Sequence, residues 1–163
     1  MFQWYRDATK CYVLLSDVLV SNETKEQGET AWEESFRTSE WFTRGWTLQE
    51  LIAPRLVEFY SSEGCLLGDK TSLEQLVHRI TRVPIDALVG SPLESFDRRD
   101  RMAWAEKRKT TEPEDEAYYL LRILNVSMLI TYGEGRATAL RRLVKESESN
   151  TVALYSIPLT RNP

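Results

Sequence analysis

A chain of 163 residues with 42% hydrophobic and 28% charged residues is most simply one globular domain, burying about two thirds of its unfolded surface. A net charge of -4 with no basic stripe gives no general field for nucleic acid, and no apolar run approaches the roughly 20 residues that span a bilayer. Two cysteines and one histidine fall short of the ligand pairs of a zinc site, so no metal is expected. Cys11 and Cys65 read as reduced packing residues. The start lacks the basic-then-apolar pattern of a secretory signal, and a cytoplasmic location is the expectation.

In chain order, residues 2–10 read as a short helix with Phe2, Tyr5 and Trp4 turned inward. Residues 11–15, Cys-Tyr-Val-Leu-Leu, are apolar throughout, as in a strand covered on both faces. Ser16 and Asp17 follow at its carboxyl end, where open α/β sheets usually place ligands. The polar, acidic stretch 19–38 reads as a variable loop, firming at most into a helical turn around Trp32 and Phe36. Gly45 suits a tight entry turn, Trp46 to Ala53 favour helix, and Pro54 stops it. Trp46, Gln49, Glu50 and Ala53 share one helical stripe. A second strand over 56–60 completes a βαβ unit of a parallel sheet.

Residues 61–64 form a turn, followed by the short apolar piece 65–67. Thr71 and Glu74 have the spacing of a capping box, and Leu73, Leu76, Val77 and Ile80 mark an amphipathic helix ending before Pro84. His78, between polar positions, is expected to face solvent. A helical turn and loop occupy 84–99, and 100–109 read as a helix carrying Met102, Trp104 and Ala105. Thr111 and Glu114 repeat the capping-box form ahead of a core stripe of Ala117, Leu120, Leu121 and Leu124. After a turn at Gly133-Glu134-Gly135, a last helix carries Leu140, Leu143 and Val144. The tail from Asn150 has no strong pattern.

None of the common hydrolase, phosphate-loop, redox or zinc motifs occurs. Gly133-Glu134-Gly135-Arg136 precedes a helix and could offer N–H groups to an anion, but a turn that opens a helix explains it better. Glu114, Asp115 and Glu116 suit a first helical turn better than a metal cluster. The basic residues Arg98, Arg99, Arg101, Lys107, Arg108 and Lys109 read as a solvated face. Arg44 could hold a phosphate or carboxylate, and Glu50 could act on a ribosyl group or a proton; a surface ion pair and an ordinary helix residue are the competing readings.

Met1-Phe2-x-Trp4-Tyr5-x-Asp7-Ala8, leading into Cys11-Tyr12-Val13-Leu14-Leu15-Ser16-Asp17-Val18, resembles the middle of the fungal heterokaryon-incompatibility (HET) domain. So does Trp41-Phe42-Thr43-Arg44-Gly45-Trp46-Thr47-Leu48-Gln49-Glu50-Leu51-Ile52-Ala53-Pro54. Further on, Arg101-Met102-Ala103-Trp104-Ala105, Glu114-Asp115-x-Ala117-Tyr118 and Tyr132-Gly133-Glu134-Gly135 resemble the segment that follows that domain. The resemblance implies self/non-self recognition and regulated cell death, on a fold similar to the Toll/interleukin-1 receptor (TIR) domain. It therefore implies an α/β class: a partial TIR-like, flavodoxin-like parallel-sheet unit over 1–68, a mainly helical region over 69–149 and a loose tail over 150–163.

Trp46 and Glu50 have the Trp-x-x-x-Glu spacing of NAD-cleaving TIR enzymes. By that resemblance Glu50 is the catalytic residue and Ser16, Arg44 and Trp46 contact NAD as a substrate, with no separate cofactor. The upstream motifs of the family are absent, so a truncated member is expected, with the strand at 11–15 left as an apolar edge. An interaction module acting through protein partners or self-association is then the first expectation. An NAD glycohydrolase and a non-functional fragment are the alternatives.

Overall fold

The computed structural model describes residues 2–20 and 30–155. They fall into two compact units, one ending at Lys109 and one beginning at Thr110.

The first unit begins with α1 (Phe2–Asp7), which stops before Lys10, and β1 (Cys11–Leu15), which has the expected bounds. β1 pairs parallel with β2 (Val57–Ser61), Cys11 opposite Val57 through Leu15 opposite Ser61. This is the expected βαβ unit, and its crossover carries α2 (Thr30–Thr38), a 3-10 turn (Glu40–Thr43) and α3 (Thr47–Ile52). The helix at 30–38 is a correction to the loop reading. Phe36 on it is wholly buried, and its ring meets Phe42 at 5.1 Å and Phe59 at 5.3 Å. Trp41 stands edge-on to Phe59 at 5.7 Å, so an aromatic cluster ties the crossover to β2. Residues 21–29 of the expected loop lie outside the described residues.

The sheet is not purely parallel. The apolar piece after the turn is a third strand, β3 (Leu66–Asp69), antiparallel to β2, which gives a mixed sheet of order β1-β2-β3. Nor is β1 covered on both faces. Val13 and Leu15 are buried with Val57 and Phe59, whereas Tyr12 and Leu14 on the other face are 66% and 61% exposed. Trp4, expected inward, is 81% exposed, because two positions after the half-buried Phe2 it falls about 200° round the helix from it. Gly45 is buried and its φ is not positive, so the unusual turn conformation expected of it does not occur; its N–H donates to the Lys109 carbonyl at 2.8 Å.

Beyond the sheet come α4 (Glu74–Thr81), α5 (Ile85–Leu88) and α6 (Arg98–Ala103). Leu76 and Val77 on α4 are buried as the stripe requires. The expected capping box does not form. Glu74 opens the helix, and Asp69 at the end of β3 instead accepts from the Thr71 and Ser72 N–H groups, both at 2.8 Å. His78 is half-buried rather than solvent-facing, its Nδ1 2.8 Å from the Val83 carbonyl, which ties the chain just past α4.

In the second unit, α7 (Asp115–Tyr118) is a single turn followed by further turns, yet Ala117, Leu120 and Leu124 are buried as the stripe implies. α8 (Arg136–Tyr155) buries Ala139 and Leu143, leaves Val144 exposed, and runs past the point where the sequence pattern fades. Glu114 caps no N–H of α7. Its Oε1 accepts from the Gly133 and Gly135 N–H groups, both at 2.9 Å. Those glycines have φ of 90° and 80°, a conformation that aims both amides at one carboxylate. The Gly-Glu-Gly turn is thus a small anion cradle filled by the chain's own side chain.

Candidate functional site

α3 carries the motif that drew attention in the sequence, and it is tied at both ends. At its start, Thr47 Oγ1 lies 2.6 Å from the Trp41 carbonyl and 2.7 Å from that of Arg44. The Arg108 guanidinium donates to the same Oγ1 at 2.8 Å and to the Arg44 carbonyl at 2.9 Å. Arg108 is 7% exposed, so it is not part of a solvated basic face: it is a buried clamp on this turn. At the far end, the Lys70 ammonium donates to the Leu51 and Pro54 carbonyls at 3.2 and 2.5 Å, satisfying acceptors where the helix runs out. Burial pushes the Lys70 amine down to about 8.

Between these ties Glu50, half-buried, accepts a hydrogen bond from the Tyr5 hydroxyl of α1 at 3.3 Å. Burial, and then the Glu50 charge, push the Tyr5 phenol up to about 12, so it stays a proton donor. Burial first and Glu50 second also raise the Cys11 thiol, with Lys70 acting weakly against them. Tyr5, Cys11, Glu50 and Lys70 therefore form one ionisable cluster at the amino end of β1. A thiol held protonated is a poor nucleophile. A half-open carboxylate beside a phenol donor can hold a hydroxyl group of a ligand.

The expected site residues are only partly assembled. Trp46, half-buried, is the residue from which α3 starts, and Glu50 follows one turn on. Arg44 is exposed in the turn before the helix. Ser16 is exposed just past the carboxyl end of β1, roughly 16 Å of strand away from Cys11, so it is not brought to Glu50. Its neighbour Asp17 is committed to structure, accepting from Ser39 Oγ at 2.8 Å and from the Glu40 N–H at 2.7 Å. Tyr5, Lys70 and Arg108 were not legible as site residues, since their partners lie 16 to 64 positions away. Cys11 and Cys65 are free thiols, and Cys65 is exposed rather than packed. Among the described residues no three His, Cys, Asp or Glu side chains converge as a metal site, and no helix is long and apolar enough to cross a membrane.

Over 160 residues, 98% of its length, the chain is 52% identical to a curated fungal protein. That relative is the vegetative incompatibility protein HET-E-1 of Podospora anserina, of whose length the chain spans about 12%. The resemblance to a fungal incompatibility protein that its motifs carry is thus supported over nearly the whole chain. No protein-family profile matches it. No solved structure matches it either.

Proposed function

We propose that the chain acts in heterokaryon incompatibility as an interaction module, signalling regulated cell death in the cytoplasm by pairing with a second copy of itself. One observation carries this reading: the open face and edge of the sheet. Tyr12, Leu14 and Leu66 are exposed on that face, with the half-buried Tyr60 ring 6.0 Å from that of Tyr12. Among the described residues β1 pairs with β2 alone, so its other edge offers backbone donors and acceptors. A second copy suits both features. A twofold contact places like edges side by side, and Lys10 and Glu58, joined at 2.6 Å within one chain, offer opposite charges to the same pair opposite. The similarity to HET-E-1, named for vegetative incompatibility, supports the biological setting. The parallel β1–β2 crossover supports a TIR-like relationship for the first unit.

Amide spectra recorded at rising protein concentration test this reading. Shifts confined to Tyr12, Leu14, Tyr60 and Leu66 are expected. Shifts elsewhere, or none, overturn it.

A second reading is NAD cleavage by Glu50, favoured by the half-open carboxylate beside the Tyr5 donor. In that reading Glu50 stabilises the ribosyl cation as nicotinamide leaves, and Trp46 and Arg44 contact the substrate from the start of α3. NAD consumption that vanishes in a folded Glu50→Ala variant is its test; no consumption by the parent chain removes it.

A further inference from the structure

Away from Glu50, the first unit holds a cavity of about 160 Å³ whose lining divides by chemistry. Phe42 and Trp104 form apolar wall, 6% and 4% exposed. Its lining includes three cationic residues, Arg82, Lys107 and Arg108, and one acidic residue, Glu106, an excess of two positive charges, and only Arg108 of the four is buried. Arg108 is buried, with its guanidinium fixed by the Arg44 carbonyl and Thr47 Oγ1, so that cation is held in place without a ligand. The backbone supplies a second observation. Arg82 ends α4 in the left-handed conformation, at φ 61°. Glycine or asparagine takes that position at less strain, yet a long cationic side chain stands there, lining the cavity.

We propose that this cavity binds a phosphate monoester carried on a small planar apolar body. A dianion matches an excess of two positive charges better than a carboxylate does, and guanidinium groups suit phosphate oxygens. The Trp104 and Phe42 wall suits the planar part. Size narrows the class: pockets for larger ligands run to about 300–1,000 Å³, so this one takes a single ring with its phosphate and excludes a dinucleotide. The site is separate from the Glu50 cluster and stands whether or not that cluster acts on NAD. Through Arg108 its occupant touches the turn from which α3 starts.

Calorimetric titration of the whole chain with phenyl phosphate, inorganic phosphate and phenol tests the assignment. Phenyl phosphate is expected to bind more tightly than either part alone. Arg82→Gly removes a cation at a position glycine favours, so it is expected to weaken binding about tenfold while the melting temperature holds or rises. Lys107→Ala is expected to weaken it in the same direction. No binding of phenyl phosphate to the folded parent chain overturns the proposal. So does binding unchanged in both variants, or phenol binding as tightly as phenyl phosphate.

Discussion

Arg108 reaches back 61 positions to donate its Nη1 proton to Thr47 Oγ1 at 2.8 Å. The same nitrogen lies 2.9 Å from the Arg44 carbonyl, and Nε lies 3.4 Å from that of Trp104. One buried guanidinium thus fixes the turn that launches α3, while the Lys109 N–H, 2.7 Å from the Thr43 carbonyl, and the Gly45 N–H join the two backbones beside it. Glu50 inherits its position from this clamp.

Replacing that clamp has a defined consequence. Arg108→Met keeps much of the side-chain volume and removes every donor, leaving buried oxygens without it. A loss of about 2–4 kcal/mol of unfolding free energy is expected in urea titrations. A stability unchanged from the parent chain would show that the turn holds without Arg108.

Alkaline titration separates two groups, Lys70 and Tyr5, whose contributions have opposite sign. The Lys70 amine falls from 10.5 unfolded to about 8 folded. Between those values the unfolded chain binds more protons, so Lys70 makes stability rise with pH over that window. The Tyr5 phenol is raised from 10.0 to about 12, so its contribution is fully present below pH 10 and is lost as pH climbs through 12. Lys70→Met is expected to abolish the rise between pH 8 and 10.5 and leave the later fall. Tyr5→Phe is expected to do the reverse. Thermal melts across this range check both.

Much of this geometry was legible locally and some of it was not. The apolar run 11–15, the helix from Trp46 to Ala53 and the strand near 56–60 emerge within a residue or so of where pattern places them, because side chains a few positions apart decide them. Thr71 and Glu74 carry the form of a capping box, but Asp69 stands at the mouth of the same turn and takes its N–H groups first. Arg108 is hidden in a run of basic residues, and only carbonyl and hydroxyl oxygens about 60 positions away reveal it as buried. Ser16 and Glu50 look like neighbours in a motif, yet β1 itself separates them. Local pattern reports the elements; which ends of them meet depends on long-range packing.

Glu114 and the Gly133–Gly135 turn yield a prediction for the second unit. The Gly135 N–H first, then Glu114's own N–H and that of Gly133, hold the Glu114 carboxyl below the usual carboxylate range, so its contribution is present above pH 4.5 and lost as pH falls through its lowered folded value. Glu114→Ala is expected to destabilise the unit and uncover the cradle. Added sulfate is then expected to raise the variant's melting temperature more than the parent's. Equal responses to sulfate would show that the two amides form no anion site of their own.

Pairing of the open sheet face with its own copy is read out by sedimentation velocity. The parent chain is expected to shift from monomer toward dimer as concentration rises. Leu14→Lys, which changes only an exposed side chain of β1, is expected to remain monomeric with an unchanged melting temperature. A parent chain that stays monomeric throughout, or a Leu14→Lys variant that dimerises as readily, would contradict it.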